Sequence, residues 1–223
     1  MHVASYPCSS AYPRSYRVRI SSAVSVEFYG SQLAGIMAAM HGIIIRMARE
    51  ADAGEIAGIY APYVTDTAIT FDEAAADAAA MSRKIRAILA THPFLVAQLG
   101  QRVVGYAYAS EFRPRASFRW AVEVTVYVNR EHHRRGIGRA LYDVLLPMLS
   151  RQGFVSAYAV ITLPGLASVA LHEKFGFTRA GVLQSAGFKL GTWHDVGYWQ
   201  RQLNEPTTNP REPAPPKDVN LVQ

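Results

Sequence analysis

The sequence is poor in cysteine and in long apolar runs. Its 223 residues include a single cysteine, Cys8, which excludes an intramolecular disulfide framework and argues against a cysteine nucleophile. No apolar segment reaches the ~20 residues of a membrane-spanning helix, and no segment is repeated. These absences predict a cytoplasmic protein without a membrane partner, whose chemistry would rest on acids, bases and backbone groups.

The charge balance is strongly basic. The formal net charge is +6 and the sequence pI is about 9.5, while half of the residues are hydrophobic and suffice for a sizeable core. Basic proteins of this kind often bind nucleic acid or another polyanion. The arginines cluster at residues 113–119 and 130–139 instead of along one long helix face. That clustering favours a small polyanionic cofactor and argues against nucleic acid as a partner.

Composition divides the chain into three regions. Residues 1–39 are rich in Ser, Tyr and Ala, and we interpret them as an N-terminal extension that is disordered or lies upstream of the true start at Met40. A cleaved signal peptide is the alternative for this region. Residues 204–223 contain five prolines and are predicted to be a disordered tail. The folded domain is therefore expected at residues 40–203.

Apolar periodicity within that domain predicts strands mixed with helices. The predicted strands cover residues 43–47, 94–99, 103–110, 118–128 and 155–161, with two late strands at 188–190 and 195–202. The predicted helices cover residues 52–60, 74–89, 136–151 and 167–175. Elements in this order indicate an α/β or α+β domain with a mixed central sheet flanked by helices.

A basic glycine turn stands between a predicted strand and a predicted helix. Its sequence is Arg134-Arg135-Gly136-Ile137-Gly138-Arg139. Two glycines let the backbone approach a phosphate closely, and the free helical N–H groups, the helix dipole and the arginines attract an anion. The turn is not a dinucleotide fingerprint, since Leu141 replaces the third glycine, and not a Walker loop, which needs Gly-Lys-Ser/Thr. We predict a pyrophosphate site here; the alternative is a solvated basic turn.

The strand before this turn carries polar groups on one face. Alternation puts Glu123, Thr125 and Tyr127 on one side and the valines of residues 122–128 on the other. A carboxylate in an apolar strand is costly to bury unless it is paired or faces a pocket. Beside the anion-binding turn, Glu123 is a candidate general base that takes a proton from an amine. The alternative is a structural ion pair with one of the three arginines in residues 113–119.

His172 is the second candidate for acid–base chemistry. It lies in the segment Leu171-His172-Glu173-Lys174-Phe175-Gly176-Phe177 and titrates near neutrality, so it can give or take a proton. A zinc-binding His-Glu-x-x-His motif is excluded, because Gly176 stands in the place of the second histidine. No metal site is therefore predicted, and a satisfied core histidine is the alternative.

The basic turn resembles the pyrophosphate loop of the GCN5-related N-acetyltransferases (GNAT), written Gln/Arg-x-x-Gly-x-Gly/Ala, with His133 in its first position. Members of that superfamily often have Tyr-x-Lys-x-Gly-Phe where this chain has His172 and the residues after it. Residues 43–203 as a whole resemble the phosphinothricin and methionine sulfone/sulfoximine N-acetyltransferases. The resemblance is carried by residues 69–73, 106–109, 120–128, 161–164 and 186–189, and by the rare segment Trp193-His194-Asp195-Val196-Gly197-Tyr198-Trp199-Gln200.

This resemblance implies a GNAT fold, a homodimer and a detoxification or resistance role. It implies direct transfer of an acetyl group from acetyl-CoA, in a ternary complex, to the α-amine of phosphinothricin, methionine sulfoximine or methionine sulfone. Glu123 would be the general base, and His172 would lie at the catalytic centre. Contacts to acetyl-CoA would come from Val126, Tyr127, Val128, Arg134, Arg135, Gly136, Ile137, Gly138, Arg139, Ser168 and Lys174. Contacts to the acceptor would come from Phe71, Glu73, Arg113, Arg115, Thr125 and Tyr127.

Two departures and two other functions stand beside this interpretation. Gly165 replaces an Asn that is common in the family, and His133 replaces Gln/Arg, so we expect a slightly weaker hold on the cofactor. A second enzyme hypothesis is acetyl transfer to a polyamine, an aminoglycoside or a protein N-terminus; a basic pocket argues against a polyamine. A non-catalytic module that senses CoA or binds nucleic acid is the third, and Glu123 and His172 argue against it.

Overall fold

The computed structural model describes residues 16–21, 24–28, 37–40 and 42–218. Strands of this part form one mixed sheet, in which β7 and β8 are parallel and the other described pairs are antiparallel. The strands are β1 (Tyr16–Ser21), β2 (Val24–Phe28), β3 (Met37–Met40), β4 (Ile43–Met47), β5 (Phe94–Leu99), β6 (Arg102–Glu111), β7 (Ala121–Val128), β8 (Ser156–Thr162), β9 (Thr178–Lys189) and β10 (Thr192–Gln202). Their order is β1-β2-β3-β4-β5-β6-β7-β8-β10-β9. The predicted mixed sheet is confirmed.

Helices cover both faces of the sheet. Those in the described part are α1 (Ala53–Asp66), α2 (Ala78–Leu89), α3 (Ile137–Gln152) and α4 (Leu166–Lys174). The apolar stripes of α1 and α2 pack with Tyr106 and Tyr108 on one face, while α3 and α4 pack with the valines of β7 on the other. None of the described helices is both long and apolar enough to cross a membrane.

The parallel pair β7–β8 separates in the middle of the sheet. The two strands are in register only at Ala121↔Ser156, Val122↔Ala157 and Glu123↔Tyr158. Beyond these pairs β7 continues to Val128 and β8 continues to Thr162 without pairing to each other. A wedge-shaped cleft therefore opens where Glu123 ends the shared register.

Two predicted helix starts shift because side chains find other partners. Helix α2 begins at Ala78, four residues later than predicted, because the Asp77 carboxylate accepts the Ala80 N–H at 2.7 Å and caps the helix there. Helix α1 begins at Ala53, one residue later than predicted, and the Asp52 carboxylate before it accepts from the Arg49 N–H and from the Arg46 guanidinium, each at 2.7 Å. Helix α1 also runs six residues past its predicted end at residue 60.

The long hairpin β9–β10 is the largest element that the sequence underestimates. The predicted strand at 188–190 is the end of a twelve-residue strand, and β10 begins three residues before its prediction. The turn residues Leu190 and Gly191 both have positive φ, 52° and 78°, as a two-residue type I′ hairpin turn requires. Much of β9 is exposed on both faces, so it lacks the alternating apolar pattern that identifies a half-buried strand.

The N-terminal region contains strands that the sequence analysis did not predict. Strand β3 pairs with β4 in antiparallel fashion, and β2 and β1 continue the sheet outward from it. Of the two alternatives for residues 1–39, disorder therefore does not describe these three segments. The proposed start at Met40 stays a prediction.

The C-terminal tail is ordered over the part that the structure describes, which corrects the prediction of disorder at residues 204–223. The indole N–H of Trp120 donates to the Arg211 carbonyl at 2.7 Å, and the Gln152 amide donates to the Ala214 carbonyl at 2.6 Å. Glu212 pairs with Arg119, and Pro216 is buried. Composition alone misses this, because prolines that cannot form a helix still pack well as an extended strap.

Candidate active site

The cleft between β7 and β8 has a volume of about 550 Å³. Its walls come from these two strands, the start of α4, one side chain of α2, and the loop that follows α1. The structure brings together at this cleft seven of the residues predicted for the site: Phe71, Glu123, Thr125, Val126, Tyr127, Ser168 and His172. The polar face and the valine face of β7 are also confirmed, since the valines join the α3 cluster and Tyr127 joins the α1–α2 cluster.

Glu123 faces the cleft at the position where the strands part. Burial raises the pKa of its carboxyl above the usual value, while the positive charges of Arg113 and Lys84 oppose that rise. Within residues 42–218, Glu123 forms no ion pair with an arginine: Arg119 pairs with Glu212, and Arg113 lies over the Phe112 ring. The structural ion pair considered from the sequence is therefore absent from the described part. A half-buried carboxylate with a raised pKa is a suitable general base near neutral pH.

The splayed strand offers backbone donors to the cleft. The Asn129 N–H donates to the carbonyl of Val104 in β6 at 2.9 Å. Because hydrogen-bonded pairs alternate along an antiparallel ladder, the odd-numbered residues of β7 direct their backbone groups toward β6. Even-numbered residues, among them Val124, Val126 and Val128, consequently direct theirs toward the cleft. The Val128 carbonyl accepts from Tyr63 on this side. The N–H group of Val126 therefore faces the cleft, beyond the last pair that β7 shares with β8.

The basic turn forms an anion-binding helix start. Arg134 and Gly136 have positive φ, 62° and 76°, and the first α-helical hydrogen bond runs from the Ala140 N–H to the Gly136 carbonyl. The N–H groups of the first helical turn before Ala140 thus have no partner within α3. A Cβ on Gly138 would lie 3.3 Å from Leu171, so this glycine lets α3 approach its neighbours closely. Arg134, Arg135 and Arg139 are exposed around this helix start.

His133 connects the turn to α1 and to the end of β7. Its Nε2 atom lies 2.8 Å from the Tyr63 hydroxyl and 3.1 Å from the Val128 carbonyl. The ring therefore ties the turn to the last residue of β7. This contact gives the departure from Gln/Arg a structural role at the mouth of the cleft.

His172 lies at the cleft wall but is almost fully buried, with 3% of its surface exposed. Its Nδ1 atom is 2.7 Å from the Ser168 carbonyl, which can only accept, so Nδ1 carries the proton. Its Nε2 atom therefore accepts from the buried Tyr142 hydroxyl at 2.9 Å. Burial lowers the pKa of the ring, which is neutral at pH 7. In this arrangement His172 has no free proton for a leaving group, and it matches the alternative of a satisfied core histidine.

Besides Val128 and the basic turn at 134–139, four predicted site residues lie outside the cleft lining: Glu73, Arg113, Arg115 and Lys174. All four are exposed. The Arg113 guanidinium donates to the Phe112 carbonyl and stacks on that ring, so its charge reaches Glu123 only at a distance. Arg115 precedes a short 3₁₀ turn at Ala116–Phe118.

The sequence analysis missed three polar groups beside the cleft. Lys84 of α2 lines it directly. The Tyr60 hydroxyl lies 2.6 Å from the Thr70 hydroxyl and donates to Asp72 at 2.7 Å. The buried ammonium of Lys189 donates to the Thr70 and Asp72 carbonyls, which fixes the loop after α1. A signal existed for Lys84, because a lysine three residues after Met81 stands on the inward stripe of a helix; no comparable signal marks the loop.

Comparison with known proteins agrees with this geometry. Residues 45–197 match the family model described as an acetyltransferase (GNAT) domain. The chain is 39% identical over 178 residues to the phosphinothricin N-acetyltransferase of Streptomyces viridochromogenes, which covers 80% of this chain and 93% of that protein. The chain belongs to the phosphinothricin N-acetyltransferase family of the GNAT acetyltransferases.

Other members of the GNAT superfamily are similar over the same region. An L-methionine sulfoximine/L-methionine sulfone acetyltransferase of Salmonella typhimurium is 34% identical over 162 residues, or 72% of this chain and 95% of that protein. The crystal structure of a GNAT superfamily phosphinothricin acetyltransferase from Sinorhizobium meliloti in complex with AcCoA is 35% identical, with a TM-score of 0.74. It covers 80% of this chain and 98% of that chain. The predicted GNAT fold is therefore confirmed.

Two details of the site in this GNAT chain concern cofactors. Gly165 precedes α4 with φ of 40°, and a Cβ there would lie 2.6 Å from the Thr162 carbonyl oxygen. The present backbone thus excludes a side chain at the position where the family often has Asn. No group of three or more His, Cys, Asp or Glu side chains in the described residues is arranged to hold a metal ion.

Proposed function

We propose that this GNAT enzyme transfers the acetyl group of acetyl-CoA to the α-amine of a small amino-acid analogue such as phosphinothricin, methionine sulfoximine or methionine sulfone. The observation that carries the proposal is the position of Glu123. Its half-buried carboxylate stands where β7 and β8 separate, near the Val126 N–H group beyond the last shared pair and near the basic start of α3. The names of the similar proteins support the choice of acceptor.

Acetyl-CoA fits the open edge of β7 and the helix start of α3. The backbone at Val126 and Val128 would bind the amides of the pantetheine arm, in the place of a neighbouring strand, while the Tyr127 backbone between them is directed toward β6. The pyrophosphate would bind the N–H groups and arginines of residues 134–139. Ser168 would close the other side of the cleft, and the exposed Lys174 would add positive charge nearby.

Acetyl transfer needs a base and a donor for the oxyanion, and the cleft offers a carboxylate and a backbone N–H for these two roles. Glu123 takes one proton from the α-ammonium group, and the freed nitrogen attacks the thioester carbonyl carbon. The backbone N–H of Val126 stabilises the negative charge on the carbonyl oxygen. The carbon–sulfur bond then breaks and CoA leaves as a thiolate that takes a proton from solvent, while the nitrogen loses its second proton to solvent.

The acceptor would lie between Phe71, Thr125 and Tyr127, over Glu123. Glu73, Arg113 and Arg115 would contact a bound acceptor only after their loops move. His172 is proposed to position α4 against α3 through Tyr142. A polyamine acceptor is disfavoured because the Lys84 ammonium faces the cleft.

We also propose that the enzyme is a homodimer in the cytoplasm with a resistance role. The exposed apolar side chains of the hairpin, Phe188, Leu190 and Trp193, lie next to the unpaired edge of β9 and support a protein–protein contact. The single cysteine supports a reducing compartment. Light scattering should give twice the 24.5 kDa chain mass at micromolar concentration, and a monomer mass would contradict the dimer.

A panel assay tests the activity. Purified protein and acetyl-CoA are mixed with amino-acid analogues, polyamines and aminoglycosides, and free thiol and acetylated product are both measured. We expect equal amounts of the two products with the amino-acid analogues. Saturating acetyl-CoA, at about 100 times its Kd, should also stabilise the fold by ~2.7 kcal/mol. Thermal protection without any product would favour a non-catalytic CoA-binding module.

A further inference from the structure

One positive charge in the cleft has no assigned role. Lys84 of α2 is half-buried and lines the same cleft as Glu123. Its Nζ atom lies 4.8 Å from the centre of the Tyr108 ring and 5.9 Å from that of Tyr60. The two aromatic faces fix the ammonium group over the acceptor side of the cleft.

This ammonium group forms no ion pair with a carboxylate in the part of the chain that the structure describes. Within the described residues, Lys84 has no ion pair, while the nearby Glu50 binds Ser82 and Arg86, and Asp72 accepts from Tyr60. Lys84 is also the only lysine or arginine among the described residues that line the cleft, because Arg113 and Arg115 lie outside it. A partly desolvated cation held on aromatic rings is stabilised further when a ligand supplies an anion.

We propose that Lys84 binds the α-carboxylate of the acceptor and so selects α-amino acids over simple amines. The inference rests on the proposed acetyl transfer to an α-amine. In an α-amino acid the amine and the carboxylate are attached to the same carbon atom, so the two groups must bind at neighbouring positions. Glu123 and Lys84 supply a base and a cation that face one cleft and influence each other electrostatically.

This arrangement also couples acceptor binding to the base. The charge of Lys84, with that of Arg113, opposes the rise in the pKa of Glu123 that burial causes. A bound carboxylate neutralises Lys84 and removes part of that opposition. Glu123 is therefore a stronger base when an α-amino acid occupies the cleft than when a simple amine does.

The test compares two acceptors and three variants. The acceptors are methionine sulfone and its α-carboxamide, which keeps the amine and removes the negative charge. The variants are Lys84→Met, Lys84→Arg and, as the matched control, Arg83→Met at an exposed position of the same helix. Lys84→Met should lower kcat/KM for methionine sulfone about 10–100-fold, the size of one charge-assisted hydrogen bond, and should not lower kcat/KM for the carboxamide, which has no carboxylate for Lys84 to bind. Lys84→Arg should retain most of the preference, and Arg83→Met should retain all of it.

Binding separates this inference from the proposed function. Each acceptor is titrated by calorimetry into protein saturated with CoA, which needs no turnover. Selective loss of methionine sulfone binding in Lys84→Met supports the carboxylate site, whether or not the acceptor is acetylated. Equal weakening of both acceptors, or no weakening, overturns it. A wild-type protein that binds methionine sulfone through Lys84 but never acetylates it would refute the proposed function alone.

Discussion

At the scale of single residues, the buried Tyr142–His172 hydrogen bond joins α3 to α4 at the wall of the cleft. Replacing Tyr142 with Phe leaves the His172 Nε2 atom without a donor, and His172→Phe leaves the Tyr142 hydroxyl without an acceptor. We expect each variant to lose about 1–3 kcal/mol of unfolding free energy, the cost of a buried unsatisfied polar group. The double variant should lose less than the sum of the two, as coupled neighbours do. Denaturant unfolding of the four proteins measures this.

The pH dependence of stability gives a second sign of the same pair. The lowered pKa of His172 means that the unfolded chain binds its proton more readily than the folded one. The wild type should therefore lose stability as the pH falls below the ordinary value of about 6.5, and His172→Phe should lack this part of the loss. A His172→Phe enzyme with wild-type stability and no turnover would instead show that the ring transfers a proton.

Sequence predicts some of these residues and not others, for physical reasons. Glu123 could be found because strand alternation isolates a carboxylate beside a recognisable anion loop. The burial of His172 could not be predicted, because the sequence pattern of a short helix does not distinguish a histidine in the core from one in a cleft. Arg113 and Arg115 were assigned to the pocket by resemblance, and no sequence signal shows that they lie outside the cleft lining.

At the scale of elements, strand β9 supports the loop after α1 through Phe71. A Cβ added to Gly187 would lie 2.2 Å from the Phe71 ring, so Gly187→Ala must displace a side chain that lines the cleft. We expect the acceptor KM to rise on the order of 10-fold, because overpacking of this kind costs about 1–3 kcal/mol. The KM for acetyl-CoA should not change, since Phe71 is remote from the α3 helix start. Steady-state kinetics with each substrate varied measures both values.

Strand β9 also provides the control for this variant. A Cβ on Gly181 would meet nothing within 4 Å, so Gly181→Ala tests the effect of an alanine in the same strand without a clash. Gly181→Ala should behave as the wild type. Equal kinetics for the two variants would show that the position of Phe71 does not matter for the acceptor.

The C-terminal strap is the second element with a measurable role. A chain ending at Asn204 loses the hydrogen bonds Trp120–Arg211, Gln152–Ala214 and Ala214–Gln152. Three bonds of ~0.5–1.5 kcal/mol each predict a loss of about 1.5–4.5 kcal/mol of unfolding free energy. A chain ending at Asp218 keeps all three bonds and is the control. If both truncated chains unfold at the same denaturant concentration, the strap does not stabilise the domain.

Elements with buried faces were predictable, and elements held by exposed or distant contacts were not. The 94–99 and 103–110 strands follow from apolar runs that are buried on both faces, and helix α3 follows from its apolar stripe. Strand β9 and the strap 204–218 lack such periods, since β9 is exposed on both faces and the strap is fixed by bonds to Trp120 and Gln152. The parting of β7 from β8 is a property of the whole sheet, and no local pattern encodes it.

At the scale of the whole molecule, the N-terminal strands lie at the far edge of the sheet from the cleft. Strand β3 pairs only with β2 and β4 in the described sheet, and the GNAT domain match begins at residue 45. We therefore expect a chain starting at Met40 to fold and to turn over acetyl-CoA as the full chain does. Circular dichroism and the acceptor assay check this. Loss of solubility or turnover would show that β1–β3 belong to the functional domain.

The pH profile of Glu123→Gln is the sharpest test of Glu123 as the general base. The substitution keeps the shape and removes the base, so kcat/KM for the acceptor should fall ~10²–10⁴-fold near pH 7. The loss should shrink as the pH rises, because more of the α-amine is then already deprotonated. Wild-type kcat/KM should decline on the acidic side as Glu123 gains its proton, at a pH above the usual carboxyl range because burial raises its pKa.

Two controls accompany that profile. Glu111→Gln alters an exposed carboxylate at the end of β6 and should leave kcat/KM unchanged. Thermal protection by acetyl-CoA should be the same in Glu123→Gln and the wild type, because the carboxylate faces the acceptor. If Glu123 is the base, we expect the Glu123→Gln enzyme to bind acetyl-CoA normally and to approach wild-type rates only at high pH. Near wild-type rates across about pH 6–9 would contradict it and would leave Glu123 without a role as the base.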